Sequence, residues 1–489
     1  MVELLQRLTK LVVGYGAVQW AGPFISLIFT PIITRAVDPG DYGVAEYILT
    51  ILSAISTVAL LALPQAINTH FNDKPDDKDW QRQVTGSALA ITIASGLLAG
   101  AAIVVFAPSI AGGSAELSAY VWLLQLSGAL MVFGMSAVVL TGAAQAALRV
   151  RWGIVFSLTS ILSTVLGNIL FIVILDLGAI GLIFTPIAAG LSLFVTSLLL
   201  TRPMIGRPQF QVMRLLLAAG LILLPTMGAS WMLQLSDRLF LGRLVSPTEL
   251  GYYAIANKMA SMVNVAMAPI YSAWMPLALA VQHKPGSYDR YISISRYLIA
   301  AVLAASLGVG LFATELLIVL TRPEYYPASP YVGFLTYMYV FGGFNAILTT
   351  GAMMGKRLGS ISSAVVVGAV VNLALNAVLI PRYGIAGATV ATVIGYAVPQ
   401  IVLYSLLQRR FPIAYPVGRI LAVLGVQFGL MLAGLFVPAI TFPLRVSIKL
   451  LLFSLLPVAY LVFGLIRPSE LAQAGALVSR QVSGRFMRP

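Results

Sequence analysis

Glu46, Asp237, Arg238 and Lys258 are ionisable residues set in stretches that are otherwise apolar. A charge in such surroundings costs at least ~2.5 kcal/mol even on the mildest insertion scales, so each is a functional candidate by default. Carboxylates can titrate or pair with a cation. A guanidinium holds phosphate through two parallel hydrogen bonds, and an ammonium adds a point charge. Arg238 and Arg243 close one apolar stretch and Arg35 closes another. The three guanidiniums are expected at one mouth, where they either bind phosphate or anchor helix ends at an interface. Asp237 and Arg238 are neighbours, so they point ~100° apart on a helix and need not pair with each other. Glu46 and Lys258 each either line an interior space or reach back to the interface, Lys258 along its long stem.

Uncharged polar residues recur at helical spacing beside these charges. One stripe is Gln19, Gly22, Ser26 and Thr30; another is Ser230, Gln234 and Arg238. A third is Glu46, Thr50, Ser53 and Thr57; a fourth is Lys258 with Ser261, widened by Asn257, Asn264 and Tyr271. Helix faces turned to lipid must be apolar, so such stripes mark interior faces. The plainer alternative is that Ser, Thr, Asn and Gln only hydrogen-bond between packed helices. Tyr252, Tyr253, Tyr325, Tyr326 and Tyr331 read as an interfacial aromatic belt. Glu315 is placed near an interface.

The stripes coincide under an internal repeat. Residues 35–43 read RAVDPGDYG and residues 243–251 read RLVSPTELG, an offset of 208. Under that offset Ser230, Gln234 and Arg238 fall on Gly22, Ser26 and Thr30, while Lys258 and Ser261 fall on Thr50 and Ser53. A second pair, NILFIVILDLGAIG from Asn168 and NLALNAVLIPRYGIAG from Asn372, ends in matching Gly-x-x-Gly starts. The unit is too long for a solenoid repeat of ~20–50 residues. It is half of a membrane protein, duplicated, and a site between paired halves is the usual build of a secondary transporter.

The elements that must carry these residues are transmembrane helices. The chain is 489 residues, 59% hydrophobic and 9% charged. A soluble domain carries about 25% charged residues. Each crossing needs ~20 apolar residues. The reading is all-α: a polytopic membrane protein of about 14 transmembrane helices in two pseudo-symmetric six-helix lobes plus two C-terminal helices. The boundaries are 1–201 for the N-lobe, 202–214 for the linker, 215–408 for the C-lobe, 409–467 for the last two spans and 468–489 for a tail. The first span, from about residue 11, reads as an uncleaved helix. Of 30 Lys and Arg, 22 fall on the side shared by the termini and 7 on the other, which places both termini in the cytoplasm. The net charge of +14 then needs no nucleic acid, because the basic loops are short and face anionic lipid.

With no cysteine and two histidines, thiolate chemistry and Cys-based metal sites are excluded. GAMMGKR at 351–357 has too few residues between its glycines for a phosphate loop. Asp73, Asp76, Asp77 and Asp79 alternate with lysines and read as a solvated loop. No cofactor and no metal is called for, and no outer loop is long enough for a glycan-building enzyme.

TPIITRAVDPGDYGVAEYI (30–48), SDRLFLGRLVSPTELGYYAIANKM (236–259) and LNAVLIPRYGIAGATVATVIGYAVP (375–399) resemble the polysaccharide-biosynthesis flippases of the multidrug/oligosaccharidyl-lipid/polysaccharide exporter superfamily. The resemblance implies a plasma-membrane protein, bacterial or archaeal, that moves a polyprenyl-diphosphate-linked oligosaccharide outward by alternating access, with polysaccharide polymerases as partners and a monomer as the working unit. Arg35, Arg238, Arg243 and Lys258 then attract the diphosphate. Gln19, Ser26, Thr50, Ser53, Ser230, Gln234, Asn257, Ser261 and Asn264 solvate the glycan. Glu46 or Asp237 couples an ion. Lipid II flippases are similar but carry arginines in the first, second and eighth spans, which this chain does not repeat. The alternatives are a cation-coupled small-molecule exporter of the same superfamily and a membrane enzyme of glycan assembly.

Overall fold

The computed structural model describes Gly22 and residues 24–111, 115–280, 287–409, 412–438 and 441–467. Every regular element among them is helical. In order these are α1 (Phe24–Ala36), α2 (Pro39–Ala59), α3 (Leu63–His70), α4 (Lys78–Ala111), α5 (Ala115–Ser118), α6 (Val121–Ala146), α7 (Val150–Gly167), α8 (Gly178–Thr201) and α9 (Phe210–Leu244). They continue as α10 (Pro247–Ala260), α11 (Met262–Ala280), α12 (Ser287–Leu311), α13 (Ala313–Leu320), α14 (Ser329–Met354), α15 (Leu358–Gln408), α16 (Val417–Leu435) and α17 (Phe442–Val462).

Eleven helical stretches are long and apolar enough to cross a membrane. Three more complete the expected fourteen. One includes α1. One is α10 with α11, parted only at Ser261. The last comes from α15, where Gly384 at φ +53°, ψ −127° divides 51 residues into two spans. Large apolar side chains face outward, among them Leu98, Ile222 and Val462, each more than 70% exposed. A surface so apolar is at home in lipid. The start of the first span, His283 and the tail from residue 468 lie outside the described residues.

The duplication reads directly in the backbone. Gly178 and Gly384 both take left-handed φ, +54° and +53°. A Cβ on Gly181 would lie 2.8 Å from the Phe171 carbonyl oxygen, and one on Gly387 would lie 2.3 Å from that of Leu379. Both Gly-x-x-Gly motifs are therefore sites where helix meets backbone too closely for a side chain. The repeated phrase caps two helices. Asp38 accepts from the Gly40 and Asp41 amides at 2.8 and 3.0 Å at the start of α2. At the start of α10, Ser246 and Glu249 form a reciprocal capping box.

Two compact units are present, and they do not follow the repeat boundaries. Unit 1 is Met1–Lys258, Leu317–Tyr331 and Ser362–Pro399; unit 2 is Met259–Leu316, Val332–Ile361 and Gln400–Pro489. Inside unit 1, the buried Leu63 and Ile67 of α3, with Phe71 just after it, pack with Val84 and Ala88 of α4, Val139 and Ala143 of α6, and Leu216 of α9. Also in unit 1, residues 205–209 are fastened to α4: the Gly206 amide donates to the Arg82 carbonyl at 2.9 Å and the Gln209 amide to Ser87 Oγ at 3.0 Å.

Unit 2 holds an ion cluster that the sequence reading did not foresee. α17 begins at Phe442 and carries Arg445 and Lys449 in its first turns. Glu315 of α13 is 5% exposed, with Arg445 Nε 2.6 Å and Lys449 Nζ 2.8 Å from its two oxygens. Removing one member of a buried ion cluster costs ~3–5 kcal/mol. Glu315→Ala is expected to lower the melting temperature of the purified protein markedly. An unchanged melt would show that the cluster adds nothing to the seating of α17.

Candidate functional site

In unit 1 the residues singled out on α2, α9 and α10 converge. Arg238 is 7% and Asp237 2% exposed. Arg238 Nε lies 2.6 Å from Glu46 Oε1, and its Nη1 donates to the Gln234 carbonyl at 3.0 Å. Asp237 is held by the hydroxyls of Tyr253 and Thr392, the latter at 3.1 Å. The Arg238 guanidinium is 6.0 Å from the Tyr253 ring centre, and Lys258 Nζ is 6.0 Å from that of Tyr42. Asp237 and Arg238 do approach each other, at 3.7 Å, despite their adjacent positions. The cluster holds two carboxylates and two cations, so its formal charges balance. A buried charge is tolerable only when so paired.

Other predicted residues are placed differently. Arg35 and Arg243 are exposed, as are Ser26 and Gln234. Gln19 lies outside the described residues. Most stripe hydroxyls are occupied by their own helix: Thr30 donates to the Ser26 carbonyl, Thr50 to Glu46 and Ser230 to Thr226, at 2.7–2.9 Å. This back-bonding is the default of Ser and Thr in a membrane helix. Ser53 is different, accepting from Trp231 Nε1 at 2.9 Å. Asn257 is buried. Ser261 marks the break between α10 and α11, and Asn264 belongs to unit 2.

Sequence reasoning missed three features. Tyr253 and Tyr325, assigned to an aromatic belt, are fully buried; Tyr325 donates to the Val37 carbonyl at 3.0 Å. A belt position gives the hydroxyl water, whereas these hydroxyls have protein acceptors. Thr392 carried no sequence signal. Ser236, Asn372 and Asn376 form a buried network at 3.1–3.2 Å joining α9 to α15. The spacing of two Asn four residues apart on one helix face was the available clue.

Each unit holds a cavity of a few hundred Å³. Unit 1 has one of about 280 Å³, mostly aliphatic, with Leu49, Leu52, Leu130 and Met131 beside Ser53 and Ser56. Unit 2 has one of about 330 Å³ that is aromatic and amide-lined. Among the described residues no His, Asp and Glu group has the form of a metal site.

Comparison with known proteins follows this geometry. The family described as "Polysaccharide biosynthesis protein" matches residues 9–282, more than half of the chain. An uncharacterized membrane protein of Methanocaldococcus jannaschii is 29% identical over 182 residues, 33% of this chain and 35% of that protein. The match thus spans only about a third of that relative's length. Among solved structures, the inward-closed lipid II flippase MurJ superposes with a TM-score of 0.68 over 91% of this chain and 98% of its own, at 14% identity. An inward-facing MATE-family multidrug resistance transporter of the MOP superfamily gives 0.65 over 81% and 98%, at 12% identity. Identities this low carry the fold alone, and that fold is the all-helical one expected.

Proposed function

Since the chain belongs to the polysaccharide biosynthesis protein family, we propose that it carries a polyprenyl-diphosphate-linked oligosaccharide across the plasma membrane by alternating access. The observation that supports this reading is the charge-balanced cluster of Glu46, Asp237, Arg238 and Lys258 within membrane-spanning helices, with Asp237 and Arg238 buried and Glu46 and Lys258 half-buried. Arg238 is engaged by Glu46, so a diphosphate reaches the guanidinium by displacing that carboxylate. Loosening of the Glu46–Arg238 pair when a coupling ion binds has the same effect and turns the guanidinium toward the substrate. Glu46 is thereby the coupling group, with Asp237 locked by its two hydroxyls as the fixed counter-charge. Lys258 adds the second cation, and the exposed Arg35 and Arg243 attract the anion at the rim. The lipid-linked glycan is the substrate, the termini face the cytoplasm, the repeats move as two lobes, the protein works as a monomer and a polymerase takes the product.

The test is Lys258→Ala. It is expected to abolish delivery of surface glycan while the protein stays in the membrane at normal abundance. Normal delivery would contradict the reading. The presence of two carboxylates in the cluster also favours a second reading, a cation-coupled exporter of small molecules. Reconstituted vesicles separate the two. Movement of a fluorescent prenyl-diphosphate sugar supports the flippase; efflux of organic cations without it supports the exporter.

A further inference from the structure

The cavity in unit 2 is lined by aromatic rings and carboxamides. Trp274, Tyr271 and Tyr339 supply aromatic surface, Asn264 and Asn345 supply carboxamides, and Gly342 leaves the wall open. No charged side chain lines it. At about 330 Å³ it falls at the small end of the ~300–1,000 Å³ range of small-molecule sites.

The lining is held in place from behind. Trp274 Nε1 donates to Thr350 Oγ1 at 3.0 Å and to the Ala346 carbonyl at 3.2 Å, and its ring rests against Tyr291 with centres 5.8 Å apart. Asn345 has only loose partners, Gln400 and Thr349, each at 3.4 Å. The Asn264 carboxamide and the Tyr271 hydroxyl have no hydrogen-bond partner among the described residues. That sets them apart from the back-bonded hydroxyls of the other stripes. Both are half-buried and line the cavity, so their polar groups are available to whatever occupies it.

We infer that this cavity is a sugar site, taking one or two rings of the glycan carried by the lipid-linked substrate. The inference rests on the flippase reading and deepens it. A sugar ring presents C–H groups on its faces and hydroxyls on its rim. Aromatic side chains accept the faces, and carboxamides both donate to and accept from the hydroxyls. A diphosphate has no cation here to meet it. A prenyl chain would leave Asn264 and Tyr271 unpaired and suits the aliphatic cavity of unit 1 better. An organic cation finds no carboxylate.

The test measures binding by the full-length protein in nanodiscs of two probes. One is polyprenyl diphosphate bearing the host cell's own surface oligosaccharide; the other is the same polyprenyl diphosphate bare. A Cβ at Gly342 meets nothing within 4 Å, so Gly342→Ala is accommodated and controls for the backbone change, while Gly342→Leu adds bulk at the cavity wall. Wild type and Gly342→Ala are expected to bind the glycan-bearing lipid about tenfold more tightly than the bare one. Gly342→Leu, and separately Asn264→Ala with Tyr271→Phe, should erase that preference and leave bare-lipid affinity unchanged. If wild type binds both probes equally, or Gly342→Leu keeps the preference, the sugar site is refuted and the flippase reading stands. If neither probe binds, the flippase reading falls and this inference with it.

Discussion

Arg238→Ala is expected to abolish surface glycan delivery and to destabilise the protein on the order of 3 kcal/mol, because it strands Glu46 without its cation. A loss of delivery alone would not separate a binding role from a structural one. The double variant Glu46→Ala/Arg238→Ala does so. It removes both charges, so the melting temperature should recover most of what the single change cost. Delivery should remain absent, since no guanidinium is left to meet the diphosphate. A double variant that delivers glycan normally would reduce the pair to a helix fastener. Glu46→Gln gives the complementary result: Arg238 keeps the Gln234 carbonyl but loses its charged partner, so delivery should persist without its dependence on a coupling ion.

The second large effect concerns the repeated phrase. A Cβ on Gly43 would lie 1.8 Å from the Pro247 carbonyl oxygen, and a Cβ on Gly251 would lie 2.0 Å from that of Pro39. Each copy of the phrase thus closes on the other through the same two positions. Real Cβ atoms do not approach that closely, so Gly43→Ala or Gly251→Ala forces the starts of α2 and α10 apart. Displacing packed backbone costs ~1–3 kcal/mol. The two substitutions should act alike, each lowering delivery by roughly tenfold or more. The chain contains no cysteine, so Asn257→Cys supplies a single buried thiol on α10. A membrane-impermeant maleimide should label it faster in either alanine variant than in the parent. Unchanged labelling and delivery would show that the contact is not a closure that transport must open.

Much of this was legible in one sequence because it is local and periodic. Low charge and ~20-residue apolar runs identify the solvent as lipid, and lipid demands helices. The Gly-x-x-Gly motifs and the DPGD and SPTE phrases marked helix starts, and helices do begin there, with left-handed glycines and caps that the reading did not specify. Four charges in apolar stretches were conspicuous at once. Tyr253 and Tyr325 were misread because a tyrosine near a helix end looks the same whether its hydroxyl meets water or a buried acceptor. The cluster of Glu315 with Arg445 and Lys449 went unforeseen because its members lie far apart in sequence.

The sequence by itself therefore determined the solvent, the helical class, the duplication and which residues carry unusual cost. Only the tertiary structure decided who satisfies whom: Arg238 with Glu46, Asp237 with Tyr253 and Thr392, Asn264 and Tyr271 with no described partner. The physical reason is one of range. Hydrophobic periodicity and capping are written within one or two helical turns. An ion pair or an unfilled cavity depends on which helices lie side by side, and on whether a hydroxyl has already bonded to the carbonyl four residues behind it.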